Sequence, residues 1–275
     1  MEIKAYKDIF VKYLLGNPGH EDILLRFIND VLSDSSFKPI QSVEVKNPFN
    51  FQEFNEDKLS ILDVKAVDES ERIYNIEIQA QGDESHKSRI LYYWAKCYSS
   101  QLSEGESYEK LKPVISINLL NFDLIKESKD IHSWFSLCKN GNTDLVLTDH
   151  LMIHFLELSK YQLSREIKKI DKWLYYFKYE GERDMKIIIK DDEVLDKAHR
   201  VYKNFSQDDR LRELYESRLE AERRYISDIE IAEKKGKKEG KLEIAKNMLG
   251  KGLDLNLISE ISGLSLEELK KLKDK

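Results

Sequence analysis

Apolar positions recur at helical spacing at the start of the chain. Y-K-D-I-F-V-K-Y-L-L-G and H-E-D-I-L-L-R-F-I-N-D-V-L are separated by the breaker G-N-P-G, which predicts helix, turn, helix. The period then changes to two. S-V-E-V-K-N is a short strand, and K-L-S-I-L-D-V-K-A-V and R-I-Y-N-I-E-I-Q-A-Q are longer strands joined by the polar turn D-E-S-E. From Ser85 to about Leu102 the residues Ile90, Leu91, Trp94, Ala95, Tyr98 and Leu102 restore a helical stripe that ends before Gly105.

After Pro113 the run V-I-S-I-N-L-L is short, apolar and β-branched, as a buried central strand is. I-H-S-W-F-S-L and H-L-M-I-H-F-L-E-L are two further strands. From Ile167 onward the pattern is almost wholly helical, with a long charged stretch from Asp208 to about Leu249 and a closing hairpin whose helices start at Asp254 and Ser265. This order describes an α/β fold, a mixed sheet flanked by helices with a helical C-terminal extension. The expected divisions are a core over 1–165, a helical extension over 166–235 and a small hairpin over 236–275.

Composition narrows the classes. Of 275 residues, 41% are apolar and 35% charged, against averages of about 45–50% and about 25%, so the helices are unusually polar. No apolar run approaches the ~18 residues of a membrane span and the N-terminus lacks a secretory layout, so a cytoplasmic location is expected. Cys97 and Cys138 lack C-x-x-C spacing, which argues for buried free thiols rather than a disulfide or zinc site. The net charge of −6 disfavours indiscriminate polyanion binding but leaves room for a local basic groove. In the long charged helix, opposite charges three and four apart predict a solvated helix; a homo-oligomer formed through this helical C-terminal region is the sharper alternative.

Candidate chemistry gathers on the hairpin. Alternation puts Asp63, Lys65 and Val67 on one face of the first strand, and Asn75, Glu77 and Gln79 on one face of the second. Asp63 and Glu77 are equidistant from Ser70, so a symmetric turn sets them opposite each other, Cβ atoms about 4.5–5.5 Å apart. Facing carboxylates repel unless solvent, a proton or a cation compensates; Mg²⁺, which takes oxygen ligands and keeps several waters, meets that need. Polar alternation on a half-exposed hairpin is the plainer reading.

S-I-L-D-V-K followed by N-I-E-I-Q-A-Q resembles the D…E-x-Q form of the PD-(D/E)XK nuclease motif, and K-D-I-F-V-K-Y-L-L-G resembles the opening of its recombination-promoting nuclease, or transposase, branch. R-I-L-Y-Y-W-A-K-C-Y-S-S-Q-L-S-E-G-E-S-Y, L-K-P-V-I-S-I-N-L-L and the tail G-K-K-E-G-K-L-E-I-A-K-N-M-L-G-K-G with I-S-E-I-S-G-L-S extend the resemblance over nearly the whole chain. It implies a restriction-endonuclease-like core and a metal-dependent DNA endonuclease in which Asp63 and Glu77 bind Mg²⁺ (or Mn²⁺); the leading reading adds the main-chain carbonyl of Ile78 to the cation site and has Gln79 orient the attacking water. The superfamily commonly carries Lys at the last position. Gln79 cannot supply that positive charge.

Auxiliary candidates are weighed against plain alternatives. Lys65 shares a face with Asp63 and stands in for the missing amine, or is a solvated neighbour of carboxylates. Asp8 and Lys12 are a surface i,i+4 ion pair, or, by the resemblance, near the site. Arg89 and Gln101, on the helix after the hairpin, contact DNA backbone or the active site, or are exposed polar positions. His150, His154 and Glu157 form a metal trio only on a helix; as a strand the segment leaves the histidines on a wet face. Lys168, Lys169 and Lys172 track phosphates or are merely solvated. Tyr92, Tyr93, Trp94 and Tyr98 read as core packing. A degenerate nucleic-acid-binding or assembly module is the competing functional class, and a DNA-reading helix-turn-helix tail a third reading.

Overall fold

A computed structural model describes residues 3–35, 37–47, 49, 64–80, 82, 85–163, 167–181 and 183–273. They fall into two compact units, Met1–Glu216 and Ser217–Lys275.

The first unit is built on a six-stranded mixed sheet in the order β1-β2-β3-β4-β6-β5. Its strands are β1 (Val43–Val45), β2 (Val64–Asp68), β3 (Ile73–Gln79), β4 (Val114–Leu120), β5 (His132–Lys139) and β6 (Asn142–Glu157). β1, β2 and β3 pair antiparallel, β3–β4 and β4–β6 are parallel, and β5 pairs antiparallel with β6. The parallel pairs need crossovers. The helix expected after the hairpin, α3 (His86–Ser99), makes the first of them.

The β2–β3 turn is organised by Asp68, a residue that carried no role in the sequence reading. Its carboxylate accepts from the main-chain nitrogens of Ser70 and Arg72, from Arg72 Nε at 2.6 Å and from Tyr74 OH at 2.8 Å. Burial, reinforced by the Asp68 carboxylate, raises the Tyr74 phenol well above its ordinary range. The turn places Val64 opposite Ile76 and Lys65 opposite Asn75, a register symmetric about Ser70 as the sequence predicts.

The two faces of the sheet differ. One carries Val64, Ala66, Tyr74, Ile76, Ile115 and Ile117, all buried. α1 (Asp8–Gly16) and α2 (Glu21–Leu32) pack with β1, β2 and β3. Behind them stand α4 (Lys169–Tyr179), the short α5 (Lys186–Ile189) and α6 (Glu193–Gln207). Phe10, Phe27, Trp173, Phe177, Tyr202 and Phe205 interlock edge-to-face between these helices. Each such ring contributes roughly 1.5–3 kcal/mol by burial. Arg26 and Lys172 share the Asp192 carboxylate, while Asp30 accepts from Arg26 Nε and Trp173 Nε1, so α2, α4 and the start of α6 are bound together by charge-assisted bonds.

α3 lies against the other face, where Ile90 meets Leu120, Ile153 and Phe155. The long charged stretch forms α7 (Asp209–Gly250). In the second unit α8 (Leu255–Ser262) is capped by Asp254, and α9 (Leu266–Lys273) by a reciprocal Ser265–Glu268 box, both at the predicted starts. Ala245, Ile258, Leu264 and Leu269 form the core of this unit. No helix among the described residues is long and apolar enough to cross a membrane.

Candidate active site on the polar face of the sheet

The two carboxylates expected to face each other are Asp63 and Glu77. Asp63 lies outside the described residues. Glu77 is on β3, only 4% exposed, on the face shared with Asn75 and Gln79. Parallel pairing with β4 adds two polar neighbours: Asn75 stands opposite Ser116, and Glu77 opposite Asn118. All four are buried.

Two of their hydrogen bonds run along the strands and one crosses from β4 to β6. Asn75 Nδ2 donates to Glu77 Oε1 at 2.9 Å. Asn118 Nδ2 donates to Ser116 Oγ and to the main-chain oxygen of His154, both at 3.1 Å. The side-chain oxygens of Asn75 and Asn118 are buried and accept from no donor among the described residues. Buried acceptors in that condition cost about 1–3 kcal/mol each unless water or a cation meets them. A buried carboxylate among oxygen-bearing polar side chains offers hard oxygen donors, the chemistry that Mg²⁺ and Mn²⁺ select. The residues present therefore fit a divalent cation, although no cluster of three or more His, Cys, Asp or Glu suited to a metal occurs among the described residues.

A cleft of about 490 Å³ opens beside this face, lined among others by Lys46, Lys65, Asn75, Glu77, Lys96 and Gln101. Lys65 and Gln101, both auxiliary candidates from the sequence, line it. Lys46 and Lys96 were not singled out. Both stand in segments where a lone Lys carries no signal of its own, and only the sheet order and the crossover helix bring them together.

Other candidates sit differently. Lys12 is buried rather than at the surface; its Nζ donates to the main-chain oxygen of Asn47, whose side chain in turn accepts from the Lys65 nitrogen. Asp8 Oδ1 accepts from the Ile9 nitrogen at the start of α1. Gln101 lies just past α3, not on it, and its amide is clamped to the Lys112 main chain through both oxygen and nitrogen. Arg89 Nη2 is 2.9 Å from His86 Nδ1. Gln79, half-exposed at the end of β3, accepts from the Asn121 nitrogen through its main-chain oxygen. Asp8, Lys12, Gln79 and Arg89 are not among the described residues lining the cleft.

The histidine trio is dispersed. His150 Nδ1 pairs with Tyr98 OH, and Glu157, fully buried, accepts from the Leu124 and Ile125 nitrogens and from Lys160. His154 corrects the expectation of a wet face: it is fully buried, stacked between His132 and Trp134, with His132 Nε2 at 3.0 Å from its Nδ1. His132 and Trp134 of the neighbouring β5 cover it, so alternation alone misreads it. The thiols are corrected too, since Cys97 is half-buried in the cleft wall and Cys138 is exposed on β5. Of the basic stripe, Lys168 and Lys169 are exposed, while Lys172 is committed to Asp192. Tyr92 is exposed rather than packed, whereas Trp94 stacks on Tyr98 and donates to the Val114 carbonyl.

Comparison with known proteins bears on the whole chain. Residues 5–232 match the model of the PD-(D/E)XK nuclease family transposase, and residues 238–274 match that of the Rpn/YhgA-like nuclease family, C-terminal HTH domain. Neither a curated protein nor a solved structure gives a significant match. The first match alone spans well over half of the molecule and includes the sheet, the cleft and Glu77, and by it the chain belongs to the PD-(D/E)XK nuclease family transposases.

Proposed function

We propose that the protein is a metal-dependent DNA endonuclease whose active site is the polar face of β2, β3 and β4. The observation that carries this reading is the buried Glu77 carboxylate at a cleft lined by Lys46, Lys65 and Lys96, in a chain of a nuclease family. A divalent cation held by Asp63, Glu77 and the Ile78 carbonyl would polarise the scissile phosphate and make water nucleophilic near neutral pH.

This chain's own residues do the rest. The three lysines attract and align the DNA backbone, a sequence-independent contribution that weakens as salt rises. Asn75 holds one oxygen of Glu77 in a single orientation. Gln79 orients the attacking water, and Lys65, on the same cleft, supplies the positive charge that Gln79 lacks. The helices ending in α8 and α9 form a DNA-contacting module, consistent with the helix-turn-helix match over residues 238–274. A role in promoting recombination or transposition follows from the family alone.

The test is plasmid relaxation and linearisation by purified full-length protein with Mg²⁺ or Mn²⁺. Glu77→Gln and Asp63→Ala should each lower cutting at least about 100-fold, since each removes a group that acts on the reacting centre. Unimpaired cutting by either variant would overturn the assignment.

A further inference from the structure

The polar face holds one side chain whose hydrogen-bonding sense is fixed and whose remaining capacity is unspent. Asn118, in the middle of β4 and 1% exposed, uses its amide nitrogen twice, toward Ser116 Oγ and toward the His154 main-chain oxygen. A carbonyl oxygen can only accept, so turning the amide over would set oxygen against oxygen at His154. The nitrogen is therefore held on that side. The oxygen is left an obligatory acceptor, buried, with no donor among the described residues. Directly across the parallel ladder stands Glu77.

A buried oxygen aimed at nothing is rare in folded proteins and calls for a water or an ion. Its position opposite Glu77 selects between sources of that water. A cation such as Mg²⁺ keeps several of its waters when bound by one or two carboxylates, and those waters are strong donors that need fixed acceptors.

The geometry points to Asn118 as a positioning residue of the cation site: its side-chain oxygen accepts a hydrogen bond from a cation-bound water and so holds that water, and with it the cation, against Glu77. This rests on the nuclease reading of Glu77, and goes beyond it in assigning a role to a residue outside the D…E-x-Q pattern. The bond to the His154 carbonyl makes the orientation a property of the β4–β6 pairing, so the sheet itself presets the acceptor.

The experiment measures Mn²⁺ affinity of the full-length protein, by titration calorimetry and by the Mn²⁺ electron paramagnetic resonance signal, together with melting in chelator and in Mn²⁺. The proteins are the parent, Glu77→Gln, Asn118→Ala, Asn118→Thr and Ser116→Ala. Loss of an outer-shell partner typically weakens metal affinity about 10–100-fold, and that loss is expected for both Asn118 variants, with a smaller Mn²⁺-induced rise in Tm. Ser116→Ala, which leaves the His154 bond and the free oxygen intact, should stay within about threefold of the parent, well short of that loss. Asn118→Thr keeps a hydroxyl donor for the His154 carbonyl and carries the test if Asn118→Ala does not fold.

Parent-like affinity in the Asn118 variants, with affinity lost in Glu77→Gln, overturns the role of Asn118 and leaves the nuclease reading standing; an isolated buried water gives this result. Equal weakening in Ser116→Ala overturns it as well, because general packing then accounts for the effect. Failure of the parent to bind Mn²⁺, or parent-like binding by Glu77→Gln, overturns both readings.

Discussion

Asn75 and Glu77, two positions apart on β3, are joined side chain to side chain, Nδ2 to Oε1 at 2.9 Å, with both residues buried. Residues at that spacing share one face of a strand, and a direct bond between them spends an amide donor on a carboxylate that a solvated neighbour would leave free. Replacing that donor by an acid inverts the local balance. Asn75→Asp sets a second buried carboxylate against Glu77, and should cost about 1–3 kcal/mol of stability in chelator. A divalent cation offsets like charge, so Mn²⁺ should recover more stability in this variant than in the parent. Thermal melts in chelator and in Mn²⁺ measure both terms, and an equal Mn²⁺ response in the two proteins contradicts the cation site.

The lysines of the cleft act on DNA as point charges. Lys46→Ala, Lys65→Ala and Lys96→Ala should each weaken binding to DNA of any sequence, and each lysine that contacts a phosphate should lower the slope of log affinity against log salt by about one. Fluorescence anisotropy over a salt series measures the slope. An unchanged slope in the triple variant would place the DNA elsewhere.

Much of this fold is legible in the sequence. Strand alternation about Ser70 predicts the pairing of Val64 with Ile76, and the Asp254 and Ser265 caps predict where the last two helices begin. Ser116 and Asn118 were visible as alternate polar positions inside V-I-S-I-N-L-L, yet that run reads as a uniformly apolar buried strand because five of its seven residues are apolar. Their meaning depends on which strand becomes the neighbour. Parallel pairing of β4 with β3 is a long-range outcome that local periodicity does not encode. His154 fails for the same reason: alternation gives its face, and the pairing of β5 with β6, which sets His132 and Trp134 against it, makes that face dry.

His132 and His154 make acid stability measurable. Burial lowers the pKa of both, in His154 to about 3, with His132 adding to the effect there; Asp34, 3.8 Å from His132 Nδ1, opposes it only at His132. Folded-state values depressed below the unfolded value of about 6.5 mean that the unfolded chain binds more protons in the interval between. The neutral pair thus contributes stability that is fully present above about pH 6.5 and is lost as pH falls toward 3. For His154 the loss should approach about 1.4 kcal/mol per pH unit, with His132 adding to it in the same direction. Urea melts from pH 8 to pH 5 on the parent and on His154→Phe, which keeps the stacking, should show a shallower decline in the variant. Parallel declines would show that other groups carry the acid sensitivity.

Asp30 ties α2 to α4 through a buried hydrogen bond to Trp173. It is 3% exposed and accepts from Arg26 Nε at 2.7 Å and from Trp173 Nε1 at 2.9 Å. Removing the acid leaves a partly buried guanidinium with one carboxylate partner in place of two, and a fully buried indole N–H without an acceptor. Truncating one member of such a network costs about 3–5 kcal/mol, whereas losing the indole donor while Arg26 still holds Asp30 costs about 1–3 kcal/mol. Asp30→Ala should therefore destabilise the first unit more than Trp173→Phe. The double variant should cost less than the sum, because both changes delete the same bond. Chemical denaturation of the four proteins closes the cycle, and strict additivity would show that Asp30 and Trp173 do not interact. Cleavage should persist in every variant that remains folded, since this network lies among the helices α2, α4 and α6 and shares no residue with the cleft.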